Sequence, residues 1–331
     1  MLQGKEKNVL KSKYIIKKVN LTLAKTFWEN SSQATFFTNP DMTKKFENNV
    51  DWWIISKGEE DICMWSICCT KEKKVYLPLF AYYFGPIWSD TFLKIADHSK
   101  LNSYLKTYEL FFEKFTKIYK KFQFQTHYEN LDLRFFIWWN QNNKTNFKIK
   151  PKYSSVLKNI DNKNDEEILL GFRELRRRMV KKAQKNKEIV VTYNCKFNEI
   201  SQLYTQTLKN KKQKISKQIL SRIKIFNNLC KTDSGKIIGF RNRKNNKLVS
   251  VILLTFAKNS ANLVLNLSDN LWKKTGVTAL NMLESIKFSK KLGKSIFDFN
   301  GANSLVGADD KHSYGSQYRL YFELELIKKS K

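Results

Sequence analysis

The apolar positions of this chain recur with a period near two in some stretches and near 3.6 in others, and the switches divide it into elements. Residues 1–13 read as a loose, charged start, 14–19 as a strand and 21–29 as a helix. A short helical region is predicted from Phe36-Phe37 to Asn49, opening near Asn39-Pro40. Three apolar runs follow, 52–56, 62–69 and 75–80. Lys57-Gly58-Glu59-Glu60 and Lys71-Glu72-Lys73-Lys74 separate them as hairpin turns would, which predicts an antiparallel meander ended by Phe84-Gly85-Pro86. In residues 101–122, Leu105, Tyr108, Phe112, Phe115 and Tyr119 recur at helical spacing and predict a long amphipathic helix. Strands are expected over 122–127 and 133–138, with Trp138-Trp139 in the core. The polar stretch 140–150, ending at Pro151, is the expected boundary.

Beyond it, a strand is expected over 153–160, with Asp161 and Asp165 as candidate helix caps. One helix is predicted over 166–187. Ile168, Phe172, Leu175, Met179 and Ala183 form its apolar stripe, and Arg173, Arg177 and Lys181 line another face. A strand over 189–193, helices over 198–208 and 216–230, and a second meander (237–241, 248–257, 261–268) come next. A helix over 278–292 is capped by Gly293. Residues 295–321 then hold a strand, 296–299, with Asp298 inside it. Asn300-Gly301 breaks that strand, and Tyr314-Gly315 leads into a last one over 318–326. A carboxylate closing a buried strand beside a glycine turn is a common layout for a site; the plain alternative is a connecting loop with a solvated Asp. Both halves run helices, meander, helix, further strand, although no repeat is visible in the residues themselves. Two α/β (α+β) domains are expected, 1–150 and 151–331, with the last strand free to pack back on the first.

Length and composition narrow the class. At 331 residues, with 42% hydrophobic and 14% aromatic content, the chain can bury two real cores and is not a disordered protein. Against 30 Asp+Glu stand 61 Lys+Arg, a formal charge of +31. Such a field favours anionic partners: nucleic acid, acidic lipid, or a phosphorylated cofactor or substrate. AT-rich codon usage, visible as many Lys, Asn and Ile with few Gly and Pro, would raise the charge without any partner. Five cysteines without a C-x-x-C pair, and only three His, point away from zinc and towards reduced thiols in a cytoplasmic protein. There is no signal-peptide core, and no apolar run approaches the roughly 20 residues of a membrane span.

Three places carry a family resemblance. Tyr153-Ser-Ser-Val-Leu157, followed by Phe172-Arg-Glu-Leu-Arg-Arg-Arg-Met-Val-Lys-Lys-Ala183, is similar to the strand and basic helix of FemABX-type and related double-GNAT acyl or aminoacyl transferases. Residues 248–268 match that family's central hairpin. Phe297-Asp-Phe-Asn-Gly301, with Ser313-Tyr-Gly315 and 318–321 downstream, resembles its "DFEG…SFG…Y" ending. The chain departs from the pattern at Asn300, where the family has an acidic residue, and at Lys311-His312, where it has an aromatic.

The resemblance covers nearly the whole chain. It implies two tandem GNAT-like domains, each a mixed, mainly antiparallel sheet flanked by helices. Members move an acyl group from acyl-CoA or another carrier, or an amino acid from aminoacyl-tRNA, onto an amine or hydroxyl without a metal. By this comparison Lys273, Gly276 and Thr278 approximate a cofactor pyrophosphate loop at a helix N-terminus, or else are an ordinary basic start to a helix. Asp298 is the candidate base or substrate anchor. His312 titrates near neutrality if it has a partner, and Tyr314 or Tyr318 could give a proton to the leaving group. Tyr82 and Tyr83 would line the cleft from the other half, with Asn300 at a substrate-binding position. Arg173, Arg177 and Lys181 would hold a phosphorylated or nucleotide-linked acceptor, or the acceptor end of tRNA. The expected protein is a cytoplasmic acyltransferase acting on a sugar- or peptide-type cell-envelope precursor, with peripheral membrane contact open. The alternatives are an aminoacyl-tRNA-dependent transferase and a non-catalytic GNAT-like module that binds nucleic acid.

Overall fold

The structure, a computed structural model, describes residues 14–143, 145–210 and 212–328. The charged start read over 1–13 lies outside them. Four strands, β1 (Tyr14–Val19), β2 (Val50–Lys57), β3 (Glu60–Cys68) and β4 (Pro86–Trp88), form one antiparallel sheet in that order. The other eight are β5 (Phe122–Gln125), β6 (Thr145–Lys158), β7 (Ile189–Thr192), β8 (Gly235–Asn242), β9 (Leu248–Phe256), β10 (Ser260–Ser268), β11 (Ile296–Gly301) and β12 (Gln317–Lys328). They form a second sheet in the order β5-β12-β6-β11-β10-β9-β8-β7. Among the described residues its one parallel pair is β10 with β11. The helices of the first half are α1 (Leu21–Glu29), α2 (Pro40–Phe46), α3 (Asp90–Lys94), α4 (Asp97–Ile118) and α5 (Arg134–Asn142). Those of the second are α6 (Asp165–Leu170), α7 (Glu174–Gln184), α8 (Phe197–Asn210), α9 (Lys217–Leu229), α10 (Asn270–Lys273), α11 (Val277–Lys291) and α12 (Leu305–His312).

The first core is aromatic. α4 buries Tyr108, Phe111, Phe112 and Phe115, whose spacing puts them on one helical face. Trp65 of β3 sits against these four and against Phe122 and Phe124, with ring centroids 4.9–6.1 Å away and edges turned to faces. The second core is aliphatic, built from β8–β11 against α7 and α11. A third cluster joins the halves: Phe36, Phe37 and Met42 of the first pack with Ile223, Phe226 and Leu229 of α9. At its rim the Arg222 guanidinium pairs with Glu47.

Four local expectations change. Residues 75–80 are not a strand, and β4 takes the third place in the meander. Pro78 has no N–H to give a ladder, and Phe80 and Tyr83 adopt positive φ (63° and 55°), so the chain loops out there. Residues 133–138 belong to helix α5, which turns Phe135 and Phe136 inward and leaves Ile137 and Trp138 about half exposed. Trp138 is therefore not core. The single helix over 166–187 is two, α6 and α7, broken at Gly171-Phe172-Arg173. Finally, position 150 lies inside β6, whose early residues pair with β12 alone and whose later ones also pair with β11. No helix among the described residues is long and apolar enough to cross a membrane.

The break after α6 is fixed from a distance. A Cβ at Gly315 (φ +77°) would lie 2.6 Å from the Gly171 carbonyl oxygen, so the two glycines bring their backbones together. Gly58 has a similar φ of +63° but open space around it. Urea unfolding should therefore show Gly315→Ala costing about 1–3 kcal/mol more than Gly58→Ala, because only the first adds a clash to the backbone strain. Equal costs would show that the contact carries no stability.

Candidate active site

Asp298 is the last residue of β11 to pair in parallel with β10, opposite Asn262. A bulge against β6 follows, between Asp298 and Gly301. Asn300 sits in it with φ 58°, a left-handed conformation that Asn tolerates better than most residues. This turn aims the Asn300 backbone N–H at Asp298 Oδ1, 2.6 Å away. The Asn300 side chain is committed elsewhere. Its Nδ2 donates to the Leu263 carbonyl (2.6 Å) and its Oδ1 accepts from Asn262 Nδ2 (3.4 Å). It thus bridges β10 and β11 beyond their last paired residues. Expected at a substrate-binding position, Asn300 is 1% exposed and holds strands together.

The Asp298 carboxyl is 3% exposed, and burial pushes its pKa up to about 6 against the opposing pull of the Asn300 N–H, Tyr83 and Lys311. Lys311 approaches from α12 and ends on the backbone just beyond it. Its Nζ donates to the carbonyls of Asn300 (3.2 Å) and Gly301. Burial lowers the amine to about 8, while the Asp298 and Asp310 carboxylates act the other way. Tyrosines enclose the pair. The phenols of Tyr82, Tyr83, Tyr128 and Tyr321 are all raised, by burial first and by the Asp298 charge as well. The Tyr83 ring lies 5.0 Å from Tyr321 and 5.3 Å from Tyr128. Its buried hydroxyl makes no well-formed hydrogen bond. The Tyr82 ring packs on Gly301, where a Cβ would come within 2.8 Å of it. His127, 5.6 Å from Tyr83 ring to ring, is held neutral by burial and by Lys158, with its pKa down to about 3.

Of the residues singled out from sequence, Asp298, Tyr82 and Tyr83 are brought together. The loop that replaces the expected third strand is what carries the two tyrosines there. Tyr314 is fully buried, stacked on Phe299 (6.0 Å), edge-on to Phe172 (5.1 Å) and covered by the Arg176 guanidinium (5.1 Å). His312 and Tyr318 meet each other instead, rings 6.2 Å apart, with Tyr318 66% exposed. The arginines of α7 fasten α12. Arg173 pairs with Asp309 (2.6 Å), and Arg176 pairs with Asp310 and donates to Ser313 Oγ (2.7 Å). Arg177 donates to the Leu170 and Phe172 carbonyls at 2.9 and 3.1 Å. Lys181 stays exposed on the outer face of α7.

Lys273, Gly276 and Thr278 do lie at the start of α11. Lys273 is exposed, Gly276 is buried, and a Cβ there would fall 2.1 Å from the Met179 carbonyl oxygen. Thr278 Oγ1 donates to Ser268 Oγ (2.8 Å). The glycine lets α7 and α11 approach, with the Met179 carbonyl oxygen packed beside it. Sequence reasoning missed Lys311, His127, Tyr128 and Tyr321. Lys311 stood out only as a departure from a pattern. His127-Tyr128, an aromatic pair closing a strand, was the one other legible signal.

No family model and no curated protein matches this sequence. Solved structures do match. The structure of FemX aligns over 93% of this chain and 96% of its own at TM-score 0.67 and 11% identity. The fold is shared with FemX. The C-terminal domain of a lysylphosphatidylglycerol synthetase from Agrobacterium fabrum aligns over 92% of this chain and 90% of its own (TM-score 0.53, 9% identity). A tandem GNAT protein from the clavulanic acid biosynthesis pathway aligns over 96% and 100% (TM-score 0.53, 7% identity). At such identities the likeness is one of fold. The expected architecture of two tandem GNAT-like units with mainly antiparallel sheets is what the chain adopts.

Holding Asp298 in this site has a pH signature. Its pKa rises from 3.8 to about 6 on folding. Between those values the folded state keeps a proton that the unfolded state has lost, so stability falls as pH rises from 3.8 to 6, by about 3 kcal/mol. Asp298→Asn removes that contribution. Urea midpoints at stepped pH should show the variant gaining on the wild type across this window and holding the gain above it; a constant difference would count against the assignment.

Proposed function

We propose that this chain is an acyl or aminoacyl transferase whose reaction takes place at Asp298 and Lys311. The observation that carries the reading is a buried carboxylate with a part-buried amine near it, in a tyrosine-lined site to which both halves contribute, on the fold of FemX. Between about pH 6 and 8 the pair is Asp298 carboxylate with Lys311 ammonium. An acceptor amine attacks the carbonyl carbon of the donor ester. The new C–N bond sends an electron pair to the carbonyl oxygen, and the Lys311 ammonium stabilises that oxyanion. Asp298 takes the proton from the attacking nitrogen. Collapse of the intermediate breaks the ester C–O bond, and the alkoxide leaving group recovers the proton. Tyr82 and Tyr83 close the site from the first half and exclude water.

For the donor we favour an amino acid esterified to tRNA over acyl-CoA, because the glycine of the Lys273–Ala279 turn is accounted for by the α7–α11 contact at Met179. The acceptor we infer is a phosphorylated or nucleotide-linked cell-envelope precursor, which the formal charge of +31 would attract. A neighbour on this fold named for lysylphosphatidylglycerol synthesis is in keeping with an aminoacyl donor. A cytoplasmic setting agrees with five free, buried thiols.

The test is transfer of a labelled amino acid from mixed aminoacyl-tRNA to a nucleotide-linked peptide precursor. Asp298→Asn and Lys311→Met should each lower kcat/KM by about a hundredfold or more while the protein stays folded. The pH profile should be a bell with limbs near 6 and 8, apparent values that belong to the pair. Turnover with acetyl-CoA and none with aminoacyl-tRNA would overturn the donor. Unchanged rates in both variants would overturn the site.

A further inference from the structure

Among the described residues the three most exposed aliphatic side chains are Leu305 (89%), Leu271 (82%) and Val306 (80%). Leu305-Val306 open α12 and Leu271 lies in α10, far apart in sequence. One helix lies between them. Arg173, at the start of α7, pairs with Asp309 of α12 (2.6 Å), and Lys182 Nζ donates to the Lys274 carbonyl just after α10 (3.0 Å). The buried side of α7 carries Val180 and Ala183. Its outward side carries Arg178, Lys181 and Lys185 at positions i, i+3 and i+7, all exposed. Residues 170–187 hold eight basic residues and one acidic. The nearby carboxylates of Asp309 and Asp310 are already paired with Arg173 and Arg176.

Single exposed aliphatics are ordinary. Here two aliphatic projections flank a basic row, with Leu170 and Leu175, each more than half exposed, beside it. We propose that this face docks on the surface of an anionic lipid bilayer. Leu305, Val306 and Leu271 enter the headgroup region while Arg178, Lys181 and Lys185 lie against lipid phosphates. Nucleic acid would use the basic row but gains nothing from protruding aliphatic side chains, which is why lipid is the better fit. The inference does not depend on the transferase reading. It does set α12, the helix that carries Lys311 to Asp298, at the lipid boundary.

The full chain is sedimented with vesicles of phosphatidylglycerol and phosphatidylcholine in equal parts, and with phosphatidylcholine alone. Binding is expected to the anionic vesicles only. Leu305→Ser/Val306→Ser should weaken it about tenfold through lost apolar burial. Arg178→Glu/Lys181→Glu/Lys185→Glu should weaken it on the order of a hundredfold. Lys44→Glu/Lys45→Glu/Lys224→Glu makes the same change of charge on α2 and α9 and should leave it within about threefold, since only charges near the bilayer count. Three results would each overturn the proposal. The wild type could fail to sediment, or the control could lose as much as the α7 variant. Alternatively, tRNA could compete for the basic row while the Leu305/Val306 variant binds vesicles undiminished.

Discussion

The last strand holds this molecule together. β12 pairs with β6 along its whole length, from Gln317↔Val156 to Lys328↔Thr145, and with β5 on its other edge. A strand from the C-terminal end thereby lies between β5 of the first half and β6, which crosses from the first half into the second. Its Leu324 is buried in the aromatic core around Trp65, and its Tyr321 stands beside Tyr83. The first core is incomplete until the chain has returned, so the halves cannot be separated by cutting near position 150. Such long-range pairing is costly in loop closure and is rewarded only when the sheet is whole.

The same return positions the candidate site. Asp298 comes from β11, Lys311 from α12, Tyr82 and Tyr83 from the loop before β4, and Tyr128 from the turn after β5. Burial disfavours the charged form of both Asp298 and Lys311, and their attraction only partly offsets it. The Arg173–Asp309 and Arg176–Asp310 pairs and the Gly171–Gly315 contact hold α12 against α7, which keeps Lys311 beside the carboxylate. The basic helix that reads from sequence as a substrate face thus has two faces with different work. Arg173, Arg176 and Arg177 fasten the fold, while Arg178, Lys181 and Lys185 point to solvent.

Much of the fold was legible because periodicity reports burial directly. The spacing of Tyr108, Phe112 and Phe115 announces α4, and the apolar runs on either side of Lys57-Gly58-Glu59-Glu60 announce the β2–β3 hairpin. What failed had short apolar runs without a decisive period. Phe135-Phe136-Ile137-Trp138 suits a strand or a helix, and packing against Phe112 and Phe147 decided for the helix. Gly276 resembled a phosphate-loop glycine because close approach to a phosphate and close approach to a neighbouring helix ask the same thing of a residue: no Cβ. Here the close approach of α7 at Met179 accounts for the missing Cβ.

By itself the sequence determined the two-core composition, the strong positive charge, most elements, and Asp298 as a carboxylate closing a strand. These depend on residue type and local spacing. The tertiary structure decided that Lys311 comes near enough to Asp298 for their charges to be felt, that tyrosines from three distant segments surround them, and that Asn300 bridges β10 and β11. These bring together residues up to 238 positions apart, as in the Tyr83–Tyr321 ring contact, and no local period encodes which distant side chain will share a buried charge.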